Sequence, residues 1–381
     1  MSNVAPQRFD VLIAGGGIVG SSCALACAQA GQRVALVERD VLGSGATAAG
    51  MGHIVVMDDS PAQIALTRRS RSLWMALAGE LPVDAEYLAA GTVWVAADAE
   101  EMAEVERKRA LYAEIGVRAE VLGPRDLSAA EPNLRPGLAG GLLVPDDAVS
   151  YPPCAARFLL ERAQARGAVL LRAKAVELME TGVRLGSGEA ISAGAVVNAT
   201  GAWAPELTPG ISVRRRKGHL AITDRYRGFL RHQLVELGYL KSAHSTTADS
   251  VAFNAQPRRT GQVLIGSSRQ FGAEHSAIDP PILTRMLERA CAYMPQLADL
   301  AVTRCWTGFR AATPDKLPLI GPCPGRPRLL LATGHEGLGI TTSLATGELI
   351  AAHLLTRPFA IPPEPYLPSR KLEAEGDSPH E

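Results

Sequence analysis

Three apolar runs along the chain are each followed by a glycine-containing turn. The runs span residues 9–14, 195–199 and 328–332, and helical segments follow the first and the last. Each run has the length and the apolar content of a buried strand. Because parallel strands are usually covered by helices, such runs are typical of a parallel α/β sheet. The pattern therefore predicts one doubly wound domain assembled from discontinuous pieces of the chain.

The first run begins a complete β-α-β unit. After residues 9–14, a glycine-rich turn leads into residues 21–30, which predict a helix ended by Gly31. Residues 33–37 predict a second buried strand, and Glu38 follows it directly. This order of elements matches a β-α-β supersecondary unit.

The segments between these runs have a different pattern. Residues 58–139 predict amphipathic helices with one strand, and residues 211–301 predict strands followed by a helix. The sequence therefore predicts an α/β fold, in which an α+β substrate domain is inserted into a doubly wound, Rossmann-like nucleotide domain. The predicted boundaries are 1–57, 140–210 and 302–365 for the nucleotide domain, 58–139 and 211–301 for the substrate domain, and 366–381 for a loosely ordered tail.

Gly15, Gly17 and Gly20 form a G-x-G-x-x-G pattern at a predicted strand-to-helix turn. In that context the glycines permit a tight turn, close approach of the backbone to a pyrophosphate, and packing of the helix on the strand. Glu38 is placed to accept a ribose hydroxyl, and its charge would repel a 2′-phosphate, which disfavours NADP. The fingerprint alone leaves NAD and FAD open, and a turn needed only for packing is the alternative interpretation.

Two further glycine-containing stretches favour FAD. Residues 43–53 follow Glu38 closely, and residues 333–341 precede the last apolar helix. Small residues let the backbone run along a rigid tricyclic ring. A helix N-terminus stabilises the electron-rich side of a reduced flavin. Glycines that serve only the geometry of a loop are the alternative.

Composition excludes several classes of function. The 381 residues carry 39 basic and 39 acidic side chains, so no nucleic-acid partner is expected. The six cysteines lack metal-ligand spacing, so no metal is predicted, and they are expected to be buried in a reducing compartment. The uncharged stretch 11–31 contains four glycines in its first half and is interpreted as a strand and a turn rather than as a transmembrane segment. Residues 1–10 lack the pattern of a secretory signal.

Four segments carry a resemblance to a known family. They are GGGIVG with Glu38, VVNATGAW at 196–203, GFR at 308–310 with TPDKLPLIG following, and GHEGLGITTSLATG at 334–347. In this order they resemble the D-amino-acid-oxidase-type FAD-dependent oxidoreductases, which include glycine and sarcosine oxidases. Residues 43–61 and 264–272 look most like the flavin subunits of multi-component dehydrogenases of the D-hydroxyproline type.

The resemblance implies an enzyme that oxidises the C–N bond of a small amino or imino acid by hydride transfer from Cα–H to flavin N5. D-hydroxyproline, oxidised to a cyclic imine, is the expected substrate. The chain would be the flavin subunit of a complex with cysteine-rich iron–sulfur partners, in the cytoplasm or peripheral to the membrane through that complex. Two alternatives stay open: a glycine, sarcosine or D-amino acid oxidase that releases H₂O₂, and an electron-transfer component of an opine-oxidase-like or cyanide-synthase-like assembly.

The resemblance also implies roles for individual residues. Arg310 matches the arginine that grips the substrate carboxylate, a task suited to a planar guanidinium. His53 is expected near the flavin, where it would tune charge or take the amine proton; a hydrogen-bonded structural histidine is the alternative. Together with His53, the residues implied to bind FAD are Gly15, Gly17, Ile18, Val19, Gly20, Glu38, Arg39, Gly45, Ala46, Thr47, Met51, Gly52, Val176, Thr200, Gly201, Gly308, His335, Gly337, Leu338, Gly339, Ile340 and Thr341.

Two positions depart from the family pattern. Gly308 stands where the sarcosine-oxidase branch carries a cysteine that tethers its flavin, so non-covalent FAD is expected. The segment SVAFNAQPRR has Phe253 and no tyrosine, whereas glycine and D-amino acid oxidases usually place a tyrosine near the substrate there. The phenylalanine predicts a pocket with room for a bulkier, less polar substrate such as a pyrrolidine ring.

Overall fold

The computed structural model describes residues 8–238 and 249–371. Its strands are β1 (Phe9–Ala14), β2 (Val34–Glu38), β3 (His53–Ile54), β4 (Thr92–Ala96), β5 (Glu120–Leu122), β6 (Gly140–Val144), β7 (Ala148–Val149), β8 (Val169–Arg172), β9 (Ala175–Met179), β10 (Gly182–Leu185), β11 (Ala190–Asn198), β12 (Arg214–Arg225), β13 (Gln233–Glu236), β14 (Ser250–Pro257), β15 (Gln262–Arg269), β16 (Val302–Ala312), β17 (Leu319–Cys323) and β18 (Arg326–Thr333). Its helices are α1 (Ile18–Gln29), α2 (Ala46–Ala49), α3 (Pro61–Leu77), α4 (Ala99–Glu114), α5 (Pro124–Ala130), α6 (Pro152–Gln164), α7 (Ala204–Leu207), α8 (Pro280–Tyr293) and α9 (Gly339–Leu355).

The first sheet has the strand order β17-β18-β11-β1-β2-β8, and the β9-β10 hairpin extends from β11. Strands β8, β2, β1, β11 and β18 are parallel to one another. Val11 and Ile13 pack with residues of α1, α6 and α9 on one face, whereas Leu12 and Ala14 pack with residues of β9 and β10 on the other. Burial of both faces explains why β1 is apolar at every position except Asp10. The predicted α/β class is confirmed.

The second sheet has the order β16-β12-β15-β14-β13-β4-β6-β5. Most of its pairs are antiparallel, and β13 and β4 are parallel. Helix α8 packs against one face through Met286, Ala290 and Tyr293, in a cluster that includes Phe253. The opposite face meets the carboxyl ends of the parallel strands of the first sheet, and the two sheets enclose a cavity between them.

The predicted domain boundaries need correction at three places. β6 and β16 lie in the second sheet, although residues 140–144 and 302–312 were predicted in the nucleotide domain. Helix α3 packs on the first sheet instead of the second, because Trp74 is buried among its core residues and its Nε1 donates to the Ile340 carbonyl at 3.2 Å. An amphipathic pattern predicts a helix, but it does not show which sheet the helix packs against.

The prediction of a loosely ordered tail is wrong for its first six residues. Tyr366 is 1% exposed, and its hydroxyl donates to the Ala62 carbonyl at 2.6 Å. Arg370 forms a bidentate pair with Asp315, at 2.7 and 2.9 Å. Tyr366 and Arg370 therefore hold this segment against the rest of the fold, despite its proline-rich composition. The remaining predicted tail, 372–381, lies outside the described residues.

The cysteine prediction is correct for two positions. Cys23 and Cys27 are buried in α1, whereas the other four are only half-buried, and all six are free thiols. In the part of the chain that the structure describes, no group of three or more histidine, cysteine, aspartate or glutamate side chains is arranged to hold a metal ion. None of the described helices combines the length and the apolar character needed to cross a bilayer.

Candidate functional site

A cavity of about 650 Å³ lies between the two sheets. Its floor is formed by the segments that leave the carboxyl ends of β1, β2, β11 and β18, and its far wall is formed by the second sheet. Open α/β sheets bind their ligands at this end of the strands. All the residues predicted to form the site line this cavity except Gly20, Gly52 and Thr341.

The turn after β1 is shaped by contacts that only glycine permits. Gly15 has φ +106°, and a Cβ there would lie 2.6 Å from the Ala199 carbonyl oxygen. The Gly15 amide donates to the Val37 carbonyl at 2.9 Å. Thr47 then accepts a hydrogen bond from the Ile18 amide in the first turn of α1, at 3.0 Å. The N-terminal end of α1 thus faces the cavity, which is the arrangement that binds a phosphate group.

Glu38 ends β2 with its carboxylate directed at this turn. One oxygen accepts from the Gly16 amide at 2.6 Å, and the other accepts from the Asp40 amide at 2.8 Å. A carboxylate fixed by two backbone amides keeps further acceptor capacity for hydroxyl donors. The arrangement agrees with the predicted role of Glu38 at a ribose.

The segment after β11 forms a third part of the floor. Asn198 is buried and accepts from both the amide and the hydroxyl of Thr200, which fixes the turn leading to Trp203. The guanidinium groups of Arg39 and Arg215 lie 5.6 and 5.5 Å from the centroid of the Trp203 ring. These cation–π contacts stiffen the rim of the cavity beside Val176.

The three predicted residues that do not line the cavity support the residues that do. A Cβ on Gly20 would overlap the Gly15 carbonyl oxygen, so Gly20 allows α1 to pack on the turn. Gly52 has φ +102°, and a Cβ there would overlap the Ser150 carbonyl oxygen. Thr341 is buried, and its hydroxyl donates to the His53 carbonyl at 2.8 Å. The structure shows a supporting position for these three residues, and their contact with the cofactor stays a prediction.

His53 and Arg310 meet beside Gly337. The His53 ring is hydrogen-bonded to the Gly337 backbone, and a Cβ on Gly337 would lie 3.8 Å from Nε of Arg310. Burial, and to a smaller extent the positive charge of Arg310, lower the pKa of His53 to about 4, against the opposite effect of the Gly337 hydrogen bond. The imidazole is therefore neutral at pH 7. Its Nδ1 is buried and has no partner among the described residues.

Arg310 reaches the cavity from the edge strand β16. Its Nη1 donates to the Ser268 carbonyl on β15 at 2.9 Å, so the side chain crosses over β12. The crossing passes Gly218, where a Cβ would overlap the guanidinium. Ser268 is held in turn by the backbone amide and the ring Nδ1 of His219, both at 2.9 Å. The cation is thus placed by three strands of the second sheet.

Substitution of Gly218 by alanine tests this placement. The added methyl would displace the flexible guanidinium rather than the backbone, so we expect the KM of a carboxylate substrate to rise about tenfold, equivalent to about 1.4 kcal/mol, with the content of the expected FAD cofactor unchanged. Steady-state kinetics with a substrate that reduces the flavin measures the effect. Gly123→Ala is the control, because its methyl would meet only Asp126 Oδ2 at 3.9 Å. An unchanged KM in Gly218→Ala would contradict the placement.

His335 is a buried neutral histidine at the start of the closing loop. Its Nε2 lies 2.9 Å from the Thr346 hydroxyl, which itself donates to the Thr342 carbonyl, so Nε2 carries the proton. Burial lowers the pKa of His335 to about 3. Between pH 3 and 6.5 the unfolded chain therefore binds a proton that the folded chain does not, and stability rises with pH across that window.

His335→Gln is expected to flatten that dependence. Glutamine keeps a donor for Thr346 but does not titrate, so the slope of the free energy of unfolding between pH 4 and 6 should fall by up to about 1.4 kcal/mol per pH unit. Urea unfolding of the protein at several pH values measures the slope. The exposed His275 provides the control variant His275→Gln, which should leave the slope as it is. Equal slopes in the native protein, His335→Gln and His275→Gln would contradict the assignment of this pH dependence to His335.

Comparison with known proteins identifies the family to which this site belongs. The sequence model of the DAO family, described as FAD dependent oxidoreductase, matches residues 10–353. The chain belongs to the DAO family of FAD-dependent oxidoreductases. The predictions of an FAD-dependent enzyme and of FAD as its cofactor are thereby confirmed.

Relatives within the family match over most of their length. Glycine oxidase of Geobacillus kaustophilus is 27% identical over 97% of this chain and 99% of its own length. Hydrogen cyanide synthase subunit HcnC of Pseudomonas aeruginosa is 28% identical, over 94% of this chain and 95% of its own. Among solved structures, the Geobacillus kaustophilus glycine oxidase superposes with a TM-score of 0.86, covering 96% of this chain and all of that one. L-proline dehydrogenase from P. horikoshii also has a TM-score of 0.86 at 25% identity, with 95% and 97% covered.

The cavity of this DAO-family chain fits FAD on two structural observations. The glycine turn places Gly17 and the N-terminal end of α1 on the floor of the cavity, which suits a pyrophosphate. Gly308 lies against Ala49, and a Cβ on Gly308 would overlap the Cβ of Ala49, so the wall beside Met51 carries no side chain at this point. A flat aromatic ring needs such a smooth wall.

Sequence reasoning missed the second-sheet wall of the cavity. That wall is lined by Trp94, Leu220, Gln233, Asn254 and Arg269. Phe253, the residue singled out from the sequence, faces the other way and stacks on Tyr293 with ring centroids 4.7 Å apart. The prediction of a less polar pocket is therefore wrong at this position, because its neighbour Asn254 lines the cavity. Side chains alternate between the faces of a strand, which is the signal that identifies Asn254 once the face of Phe253 is known.

Proposed function

We propose that this chain is an FAD-dependent dehydrogenase that oxidises the C–N bond of a small amino or imino acid. D-hydroxyproline, oxidised to its cyclic imine, is the substrate we favour. The observation that carries the proposal is the convergence of Arg310 and His53 beside Gly337, in a cavity whose opposite side has the dinucleotide turn. A fixed cation next to a neutral base suits a substrate with a carboxylate and an amine on one carbon.

Arg310 would bind the substrate carboxylate through two parallel hydrogen bonds. Its guanidinium is already fixed by Ser268, so the substrate is oriented with little loss of side-chain freedom on binding. Bound FAD supplies the acceptor for the hydride from Cα–H at its N5. Orienting the Cα–H bond toward that acceptor is therefore the main task of the protein in the chemical step.

His53 would take the proton that the substrate ammonium must lose before oxidation. The ring is neutral at pH 7 because burial lowers its pKa to about 4, and its Nδ1 has no partner among the described residues. A neutral imidazole with an available nitrogen can accept a proton from an amine. The adjacent Arg310 limits how long His53 holds that proton, so its transfer onward to solvent is favoured.

The cofactor would be held without a covalent bond. Gly308 offers no side-chain atom to the ring, and Ala49 fills the space where one would project. The residues implied to bind FAD and lining the cavity would then act through backbone amides, the Glu38 carboxylate and van der Waals contact. Release of intact FAD on acid denaturation would support this proposal.

A second candidate is an oxidase of glycine, sarcosine or a D-amino acid. The extended similarity to glycine oxidases favours it. The two candidates differ in what reoxidises the flavin: oxygen in the oxidase, and partner subunits in the dehydrogenase. The similarity to HcnC, which is named as a subunit of hydrogen cyanide synthase, favours an assembly with partner subunits. Cysteine-rich iron–sulfur proteins are the partners that we propose. A cytoplasmic location, or one at the membrane through such an assembly, remains part of this proposal.

Anaerobic reduction of the bound flavin by a substrate panel tests the proposal. The panel contains both enantiomers of hydroxyproline and proline, with glycine, sarcosine and D-alanine. We expect D-hydroxyproline to bleach the flavin fastest and air to restore the colour slowly. Stoichiometric H₂O₂ on admission of air would favour the oxidase instead. If no compound of the panel reduced the flavin, the proposed substrate class would be wrong.

A further inference from the structure

Three buried polar side chains on the second-sheet wall lack hydrogen-bond partners. Nε1 of Trp94, Oε1 of Gln233 and Oδ1 of Asn254 have none among the described residues. The side chains are 2%, 2% and 7% exposed, and all three line the cavity. Native proteins leave few buried polar groups unpaired, and several on one cavity wall indicate that a ligand supplies the missing partners.

Sheet register brings the three side chains to one patch. Val235 of β13 is opposite Trp94 of β4 on one side and opposite Asn254 of β14 on the other. Gln233 is two residues before Val235 and therefore lies on the same face. Trp94, Gln233 and Asn254 together surround Val235, which also lines the cavity. We call these three residues the amide–indole patch.

The orientation of Trp94 is fixed from behind. The ammonium group of Lys108 lies 4.4 Å from the centroid of the Trp94 ring. Lys108 is fully buried and paired with Asp58, and its ammonium group has no acceptor for the indole N–H, which stays available to a ligand. The patch is therefore a built surface rather than a set of mobile side chains.

The patch lies next to the position of the carboxylate clamp. Arg310 ends its crossing at Ser268 of β15, and Asn254 on the neighbouring strand β14 is opposite Gly266, two residues before Ser268. Adjacent strands are about 4.8 Å apart. A substrate held by Arg310 would therefore present its far side to Asn254, and the longer side chains of Gln233 and Trp94 close the patch behind it.

The chemistry of the patch selects a hydroxyl group. The indole N–H only donates, whereas the amide oxygens only accept. A hydroxyl accepts from the indole N–H and donates its single proton to one of the two amide oxygens, or shares it between them in a three-centre hydrogen bond. A carboxylate cannot donate to the amide oxygens, and a plain ring carbon leaves all three groups unpaired. A site built to hydrogen-bond a substrate hydroxyl rejects the analogue that lacks it, because the polar groups of the site are then left unsatisfied.

We propose that Trp94, Gln233 and Asn254 form a hydroxyl-binding subsite that selects imino acids carrying a ring hydroxyl across from the carboxylate. This inference rests on the proposed function and assigns its substrate preference to named residues. Asn254 and Gln233 are specificity-determining residues, and Trp94 supplies the donor.

Binding of ring acids that cannot be oxidised tests the subsite without relying on turnover. The probes are tetrahydrofuran-2-carboxylate and its 4-hydroxy derivative, in all stereoisomers, titrated into the FAD-loaded full chain. The change in the flavin absorption spectrum gives each Kd. We expect the best hydroxylated isomer to bind at least tenfold more tightly than the unhydroxylated acid.

Two variants test whether the preference for the hydroxylated acid depends on the amide–indole patch. In Asn254→Leu and in Gln233→Met, the preference should fall below threefold, while Kd for the unhydroxylated acid stays within threefold. Gln296→Met is the matched control, because Gln296 is exposed and far along the chain from the patch, and it should keep the full preference. FAD content and far-UV circular dichroism identify a variant that fails to fold, and the comparison of ligands on the unmodified chain needs no variant.

The outcomes separate this proposal from the proposed function. Equal binding of the two acids, or tighter binding of a ring acid with a second carboxylate, would overturn the subsite, even if imino acids reduced the flavin. A preference retained in both variants would also overturn it. A tenfold preference that the variants abolish would support the subsite, even if the substrate panel failed to bleach the flavin.

Discussion

Replacing Arg310 by alanine is expected to lower kcat/KM by about 100- to 1,000-fold while FAD stays bound. Removal of one partner from a buried, charge-assisted pair costs about 3–4 kcal/mol, which corresponds to that range. The loss should appear mainly in KM, because the guanidinium binds the substrate and takes no part in the transfer of electrons. Anaerobic stopped-flow reduction over a range of substrate concentrations separates the two parameters.

The same strand supplies a matched control. Arg304 is exposed on β16 and contacts only the ring of Trp306 among the interactions that we identify, at 5.3 Å. Arg304→Ala should leave kcat/KM within about twofold, as is usual for surface positions. Arg310→Lys keeps the charge but loses the planar fork, so it should fall between alanine and the native enzyme. An Arg310→Ala enzyme with native KM would remove the carboxylate clamp from the mechanism.

The site residues whose positions can be predicted from the sequence lie close together in short segments of the chain. Gly15, Gly17 and Glu38 belong to one β-α-β unit, whose geometry follows from residues close together in the chain. Their positions around the cavity therefore depend little on the rest of the fold. Arg310 and His53 are different, because only the family resemblance pointed to them, and no local pattern shows that they meet beside Gly337.

Local sequence patterns cannot predict the second-sheet wall, because its residues come from strands that are far apart in the chain. Trp94, Gln233 and Asn254 come from three strands whose pairing the apolar pattern does not determine. The assignment of Phe253 to the cavity shows the consequence: an error of one residue moves a side chain to the opposite face of its strand. The same limit explains the incorrect domain assignment of β6 and β16, since the apolar pattern of a strand does not show which strand it pairs with.

Gly20 shows the difference between the two sources, because the G-x-G-x-x-G motif predicts a packing role for it, whereas the family resemblance alone implies contact with FAD. A methyl group on residue 20 would overlap the carbonyl oxygen of Gly15, and neither atom belongs to a flexible side chain. The turn and α1 must therefore move apart. Overpacking of this kind costs about 1–3 kcal/mol of stability, and the displaced turn no longer matches the pyrophosphate.

Gly20→Ala is accordingly expected to weaken FAD binding by about 100-fold, equivalent to about 2.7 kcal/mol, and to be purified largely without flavin. The ratio of flavin to protein absorbance after gel filtration, and a fluorescence titration of the apoprotein with FAD, measure the effect. Gly79→Ala is the control, because a Cβ on Gly79 has no atom within 4 Å and the residue lies outside the cavity. Since both variants make the same chemical change, a difference in FAD content reports the local clash. Full occupancy in Gly20→Ala would mean that the turn tolerates a wider separation from α1 than its contacts indicate.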